Sequence, residues 1–282
     1  MTTIGVVGYA SEGNLELSAG LQRAGLQSEL LTPAEALSEL GAGDVALVRL
    51  DVLPTLDGVE AGLDLVRELD GQGVRVLNRP QALLAAHDKL ATAARLYAGG
   101  LPHPRSTHLW TVAEVLALST PVVLKPRFGS WGADVWRCHD AGELRRRAEE
   151  LLTRRWFARQ GVLAQELLSG GHDVRLVVAG RHVVGSAFRL ALPGEWRTNV
   201  SVGGALIAVA PPSKAVELGV AAAGALGIDL AGVDLLPVAD GYVVLEVNGA
   251  VDFSSRYGSP GRDVYADIAG ALQLPVPEPV LA

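Results

Sequence analysis

Short apolar runs alternate with helix-spaced apolar segments through the first eighty residues. Thr3–Tyr9 reads as a strand, Leu15–Ala24 as a helix stopped at Gly25, and Ser28–Leu31 and Val45–Leu50 as strands. Val59–Leu69 follows as a helix and Val74–Leu77 as a strand. Strands alternating with helices predict a parallel sheet covered on both faces. Asn78-Arg79-Pro80 closes this unit, and a helix is expected from about Gln81 through Tyr97. Gly99-Gly100 ends it, and Pro102 and Pro104 mark an extended linker.

The pattern then changes. Thr107–Trp110 (strand), Thr111–Leu118 (helix), Val122–Lys125 (strand), a glycine loop, Val135–Cys138 (strand) and a charged helix over Ala141–Trp156 describe a small α+β unit. Val162–Leu168 reads as a further strand, Asp173–Leu190 as a long hairpin, Ala215–Leu226 as a helix and Asp263–Leu272 as the last helix. The expected organisation is three units, over residues 1–80, 81–167 and 168–282. A chain of 282 residues exceeds one ordinary core, which agrees with a division into sub-domains.

One hairpin carries the most chemistry. Gly232-Val233-Asp234-Leu235-Leu236 and Tyr242-Val243-Val244-Leu245-Glu246-Val247-Asn248 are apolar strands joined by a tight turn at Asp240-Gly241. Side chains alternate along a strand, so Glu246 and Asn248 share a face and the hairpin can bring Asp234 opposite them. Two carboxylates and an amide are oxygen donors that suit Mg²⁺, with phosphate oxygens and water completing the octahedron. Strand carboxylates facing water or paired with arginine fit the same pattern, and these residues alone do not choose.

Composition narrows the classes. Hydrophobic residues at 49% and charged ones at 20% describe a globular chain rather than a disordered one. A net charge of −7 argues against broad nucleic-acid binding. The basic runs Arg145-Arg146-Arg147 and Arg154-Arg155 lie among Glu143, Glu149 and Glu150, as on a solvated helix face. The single cysteine, Cys138, excludes an internal disulfide framework and a cysteine zinc cluster, and is expected in the core. The N-terminal residues lack the basic region and cleavage site of a signal peptide, and no apolar run approaches the ~20 residues that span a bilayer. A cytoplasmic protein with no membrane partner is expected. Gly5, Gly8 and Gly13 do not match the dinucleotide fingerprint and read as turn glycines.

Upstream, Lys125-Pro126-Arg127-Phe128-Gly129-Ser130-Trp131-Gly132 joins two strands through a loop with glycines three apart. Glycines let backbone N–H groups approach a phosphate, and a lysine at the preceding strand end adds positive charge. No Gly-Lys-Ser/Thr follows, so this is not a Walker loop, and a structural hairpin would use the same glycines. Gln165-Glu166-Leu167-Leu168 offers a strand end able to pair its backbone with a base. Asp173 and Arg175 share a face, Arg189 ends the same hairpin, and Arg197-Thr198-Asn199 precedes Gly203-Gly204. Arginines gathered near a phosphate are what phosphoryl transfer to a carboxylate requires. Each is also compatible with a surface position.

Taken in order, Asn78-Arg79-Pro80, Asp88-Lys89-Leu90-Ala91-Thr92, Val122 to Pro126, Gly129-Ser130-Trp131-Gly132, Asp173-Val174-Arg175, and Gly232-Val233-Asp234 to Glu246-Val247-Asn248 resemble the ATP-grasp carboxylate–amine ligases. Within them the chain is most similar to the branch of the ribosomal protein S6 glutamate ligase and of the lysine-biosynthesis ligase acting on an amino-group carrier protein. The likeness extends over nearly the whole chain. It implies an ATP-grasp fold: an N-terminal α/β unit, then central and C-terminal α+β units that clasp ATP.

The resemblance implies that Lys89 and Lys125 bind nucleotide phosphates, and that Gly129, Ser130, Trp131 and Gly132 close over the triphosphate. It implies an adenine hinge at Gln165, Glu166, Leu167 and Leu168, and Asp173 at the ribose. Asp234, Glu246 and Asn248 would hold Mg²⁺, or Mn²⁺ in its place, while Arg197, Asn199 and Arg189 face the transferred phosphate and acyl group. The implied activity is amide formation through an acylphosphate, joining an amino acid to a carrier protein, a protein terminus or a peptide. Alternatives are a dipeptide-type ligase of small molecules and a non-catalytic ATP-binding regulator. The resemblance also implies a homo-oligomer, dimer or tetramer. Two features depart from the branch. Val202, preceded by Ser201, stands where an arginine usually precedes Gly203-Gly204, and the segment Gly249 to Arg256 follows the pattern only loosely. That segment would meet the amino-acid substrate.

Overall fold

The computed structural model describes residues 2–168, 170–199, 203–252, 254–258 and 261–275. The expected parallel sheet is present. Strands β1 (Ile4–Val7), β2 (Ser28–Leu31), β3 (Val45–Val48) and β4 (Arg75–Leu77) lie in the order β2-β1-β3-β4, all parallel. Helices α1 (Glu12–Arg23), α2 (Pro33–Glu39) and α3 (Leu63–Gly71) connect them. β1 and β3 are buried on both faces, which is why they read as unbroken apolar runs. Helix α2 falls outside the elements expected from periodicity. Its start is a capping box, in which Thr32 accepts from the Glu35 N–H while the Glu35 carboxylate accepts from the Thr32 N–H.

The helix expected over 81–97 is two helices, α4 (Pro80–His87) and α5 (Lys89–Ala98). Asp88 has an extended backbone between them, and its carboxylate caps α5 by accepting from the N–H groups of Leu90 and Ala91. Arg127 grips the same carboxylate through Nε and Nη2 at 2.7 and 2.6 Å. The break therefore ties the start of α5, and Lys89 with it, to the glycine loop that follows Arg127.

The central sheet is antiparallel, with strands β5 (Ser106–Leu109), β6 (Val122–Pro126), β7 (Trp136–Cys138) and β8 (Val162–Glu166) in the order β5-β8-β6-β7. Helices α6 (Val112–Leu116), α7 (Ala141–Leu151) and α8 (Arg155–Gln160) complete this unit; the charged helix expected over 141–156 is thus divided. Cys138 is fully buried in its core beside Trp156, as expected. The C-terminal sheet has five antiparallel strands: β9 (His172–Ala179), β10 (His182–Leu190), β11 (Ala205–Ala208), β12 (Leu230–Val238) and β13 (Gly241–Asn248). Their order is β11-β10-β9-β12-β13, with α9 (Ser213–Leu226) and α10 (Val264–Ala271) packed against the sheet. Edge strand β11 is a further element that alternation did not predict. Ala82, Ala86 and Leu96 of α4 and α5 enter the core of this sheet, so the helix pair packs with the C-terminal unit, whereas a boundary at residue 81 groups it with the central one.

Asn78 joins the first and last units. It is fully buried with φ of 59°, a left-handed conformation that asparagine tolerates better than most residues. Its Nδ2 donates to the carbonyls of Leu230 (2.8 Å) and Gly249 (3.1 Å), and its Oδ1 accepts from the N–H groups of Asp229 and Leu230. Among the described residues no helix is long and apolar enough to cross a membrane.

Candidate active site

The β12–β13 hairpin has the anticipated register, with Asp234 opposite Glu246 and Gly232 opposite Asn248. Strand order adds what the hairpin alone does not contain. Asp234 also pairs across to Arg175 on β9, and Asp173 on β9 pairs across to Arg189 on β10. Directly opposed residues share a face, so charges on four strands form one ladder. Arg175 grips both oxygens of Asp234, Arg189 donates to Asp173 through Nε and Nη2 at 2.7 and 2.6 Å, and Arg189 Nη2 also reaches Asp234 at 2.7 Å. The Thr198 hydroxyl donates to Asp173 at 2.5 Å. Burial alone would raise the Asp234 carboxyl, but the two guanidiniums outweigh it and hold the group down at about 2. The alternative considered from sequence, strand carboxylates paired with arginine, is thus realised for Asp234. Glu246 meets a different partner, Nζ of Lys89 at 2.8 Å.

Asp234 and Glu246 are opposed across the hairpin and Asn248 lies two residues beyond Glu246 on β13, where its Nδ2 is buried without a hydrogen-bond partner. A half-turn of that amide presents its oxygen instead, giving two carboxylates and one amide oxygen, a donor set suited to a hard divalent cation. Among the described residues no group of three or more His, Cys, Asp or Glu side chains is arranged to hold a metal, so this mixed set is the candidate.

Lys125, the last residue but one of β6, has its side chain buried and donates to Gln165 Oε1 at 2.8 Å. Burial, reinforced by the positive charge of Lys89, lowers its ammonium from the usual lysine range to about 8. Lys89 Nζ also donates to the Gly129 carbonyl. The glycine loop is left-handed at Trp131 and Gly132, with φ of 59° and 71°. It is held from the opposite unit, because Arg197 Nη1 donates to the Gly132 carbonyl at 3.0 Å. A side chain at Gly132 would meet Asn199 Oδ1 at 3.1 Å. Glu195 accepts from Arg197, and that bonding pulls its carboxyl down to about 2.

A cavity of about 530 Å³ runs between the central and C-terminal sheets. Lys89, Lys125, Gly129, Ser130 and Gly132 line it together with Glu246 and Asp234. Gln165, which accepts from Lys125, lines it too, as do Glu166, Leu167 and Leu168 and apolar Val123, Leu236 and Leu245. Asp173, Arg189, Arg197 and Asn199 lie along it too. A second cavity of about 740 Å³ shares Ser130, Arg189, Asn199 and Glu246 with the first and adds Trp131 and Asn248. Each candidate residue named from sequence thus lines one of two adjoining cavities. Ser169, Ser201 and Val202 lie outside the described residues, so the departure at Val202 has no structural description. Sequence reasoning missed Arg137, which lies over the Trp196 ring at 5.4 Å beside the first cavity, and Asp51, His87 and Asp252 in the second. No short motif marks these, since they come from β7, the segment after β3, the end of α4 and the segment after β13.

The family model described as a RimK-like ATP-grasp domain matches residues 86–272. The tetrahydromethanopterin:alpha-L-glutamate ligase of Methanosarcina acetivorans is 31% identical over 237 residues, covering 77% of this chain and 73% of that protein. The crystal structure of a RimK domain ATP-grasp protein from Sphaerobacter thermophilus superposes with a TM-score of 0.70 at 23% identity, covering 96% of this chain and 99% of that one. The ATP-grasp ligase PsnB, complexed with a minimal precursor, Mg and ADP, superposes with a TM-score of 0.67 at 21% identity, over 96% and 97% of the two chains.

Proposed function

The chain belongs to the RimK-like ATP-grasp family, and on that premise we propose that it joins the amine of an amino acid to a substrate carboxylate, through an acylphosphate, in an ATP- and Mg²⁺-dependent ligation. L-Glutamate is the first candidate, because the Methanosarcina relative is named for that amino acid. The acceptor we favour is a carrier protein, a protein terminus or a peptide. The observation that carries the reading is the sorting of charge in two adjoining cavities. Lysines and a glycine loop sit in one; the Asp234–Glu246–Asn248 set stands where it meets the other.

The roles follow from position. Lys89 and Lys125 neutralise phosphate charge, and the lining of Glu166, Leu167 and Leu168 with apolar Val123, Leu236 and Leu245 takes the base. Asp234, Glu246 and Asn248 would hold Mg²⁺, which when bound offsets charge on the β- and γ-phosphates. Asn199, at the shared border, and Arg197, which lines the smaller cavity, face the carboxylate that accepts the phosphoryl group. Their fixed positive charge and hydrogen-bond donors stabilise negative charge developing there. Arg197 also bonds the Gly132 carbonyl, which draws the glycine loop over the border and keeps water from the activated acyl group. No protein nucleophile is needed, because positioning and charge neutralisation supply the catalysis. The larger cavity is bordered by exposed Glu12, Leu15 and Arg256, leaving a route for an acceptor chain from solvent.

The test is ADP release from ATP and Mg²⁺ across a panel of amino acids and carboxylate acceptors, with the product mass measured. A mass increase equal to one amino-acid residue on a peptide or protein supports the reading. Glu246→Ala should abolish Mg²⁺-dependent ADP formation, and retained turnover would sink the metal assignment.

A further inference from the structure

The two lysines of the smaller cavity are held in different ways. Lys89 pairs with the Glu246 carboxylate at 2.8 Å, so an anion of the protein matches its charge. Lys125 is 8% exposed, and among the described residues it forms no ion pair. Its hydrogen-bond partner there is the neutral Gln165 amide, whose Oε1 accepts at 2.8 Å. Lys89 and Glu246 act on it from further away and in opposite directions. A dipole therefore holds this buried cation and leaves its charge uncancelled. One of three ammonium donors is spent on Gln165, and two remain for the oxygens of a ligand.

Strand register brings the amide to this place. Gln165 on β8 pairs across to Ser106 on β5 and to Val123 on β6, and Lys125 lies two residues beyond Val123 on the same face. Gln165 Nε2 donates to Ser106 Oγ at 2.9 Å, and the Ser106 hydroxyl donates to the Pro104 carbonyl at 3.1 Å. This chain of bonds has one polarity. The Pro104 carbonyl only accepts, so the hydroxyl hydrogen points to it and the Ser106 oxygen is left to accept. The amide must then turn its NH₂ toward Ser106 and its oxygen toward Lys125. The lysine requires the same orientation independently, because an ammonium has donors only. A reversed amide would set donor against donor at Lys125.

We propose that Gln165 is a positioning residue for the nucleotide phosphates: its amide oxygen holds the Lys125 ammonium in the cavity without cancelling its charge, and Ser106 fixes which end of the amide faces the lysine. The assignment rests on the reading that Lys125 meets phosphate, and it gives Gln165 a task at the lysine in place of the one expected at the base. A carboxylate at position 165 would hold the ammonium more firmly and still be a poorer choice, since it would compete with the phosphate for the same charge.

The test is calorimetric binding of ADP with Mg²⁺ to the full chain and to Gln165→Met, Gln165→Glu, Lys125→Met and the double variant Gln165→Met/Lys125→Met. Both substitutions at 165 keep the length of the side chain. At pH 7 Gln165→Met should weaken ADP by about tenfold, the usual scale for losing a hydrogen bond to a charged group. In the Lys125→Met background the same change should cost less than about twofold, because the partner it acts through is gone. Gln165→Glu should weaken ADP as well. The pH profile separates positioning from a general loss of structure. The alkaline limb of ADP affinity should move up by about one pH unit in Gln165→Glu, where a carboxylate favours the ammonium, and down in Gln165→Met, where burial acts without an acceptor to offset it. Equal cost of Gln165→Met with and without Lys125, or a limb that stays in place in both variants, refutes the assignment and leaves the nucleotide reading standing. If the wild-type protein binds no ADP, or Lys125→Met binds it as tightly as wild type, the phosphate reading of Lys125 falls and this assignment with it.

Discussion

Arg189→Met tests the charge ladder directly. Arg189 is 4% exposed and bridges Asp173 and Asp234, which are 2% and 3% exposed. Methionine keeps the apolar stem and removes the guanidinium. Asp234 retains Arg175, but Asp173 is left with the Thr198 hydroxyl as its side-chain partner. Removing one member of a buried ion pair costs about 3–5 kcal/mol, most of it the uncompensated charge left behind. The expected loss is in that range, read from guanidinium unfolding followed by tryptophan fluorescence. If stranded charge is the cause, Asp173→Asn in the same background should recover about 1–3 kcal/mol, because a neutral amide has far less to desolvate. The acid limb should move as well. The Asp234 carboxyl lies at about 2, below its unfolded value of 3.8, so its contribution is full above the unfolded value and vanishes as pH falls through about 2. That shift corresponds to roughly 2 kcal/mol. Without Arg189 the carboxyl moves toward its ordinary value, the contribution shrinks, and acid unfolding begins at a higher pH. An Arg189→Met penalty below about 1 kcal/mol, or an Asp173→Asn change that deepens the loss, would refute the ladder as a source of stability.

Arg197→Ala should lower the ligation rate by about 10²-fold, the usual cost of losing one donor at a developing charge, with ADP affinity changed far less. Equal losses in rate and affinity would count against its place at the acyl phosphate. Lys125, lowered to about 8, is charged below that pH and neutral above it. ADP affinity should therefore weaken by about tenfold between pH 7 and 9.5, and Lys125→Met should flatten the profile; an unchanged slope in the variant would exclude this lysine. Asn78→Ala deletes the buried amide that joins β4 to β12 and the segment after β13, and alanine is poorly suited to φ of 59°. With several backbone groups orphaned, a loss of at least about 3 kcal/mol is expected in thermal or chemical unfolding.

What was legible in the chain divides along a physical line. Period-two alternation identifies Glu246 and Asn248 as neighbours on one face, and the hairpin turn brings Asp234 opposite; both are local consequences of strand geometry. Helical period was less informative where a residue served two elements. Asp88 occupies a position in a continuous apolar rhythm yet caps α5, and the resulting break at Asp88 accompanies the placement of Lys89 against Glu246. The start of α2 was readable, because Thr32-Pro33-x-Glu35 is a capping-box sequence, but periodicity does not register a seven-residue helix. The arginine partners of Asp173 and Asp234 follow from the order β10-β9-β12-β13, and an antiparallel sheet can be assembled from the same strands in other orders. Asp51, His87 and Asp252 lie furthest from any local signal. They come from a β3 loop, the end of α4 and the segment after β13, and they face one cavity because Asn78 fastens the first unit to the last. The residues proposed for the nucleotide lie mostly in contiguous runs and could be read from them. Asp51, His87 and Asp252 are brought to one cavity by the packing of one unit on another, and no contiguous run of sequence records that packing.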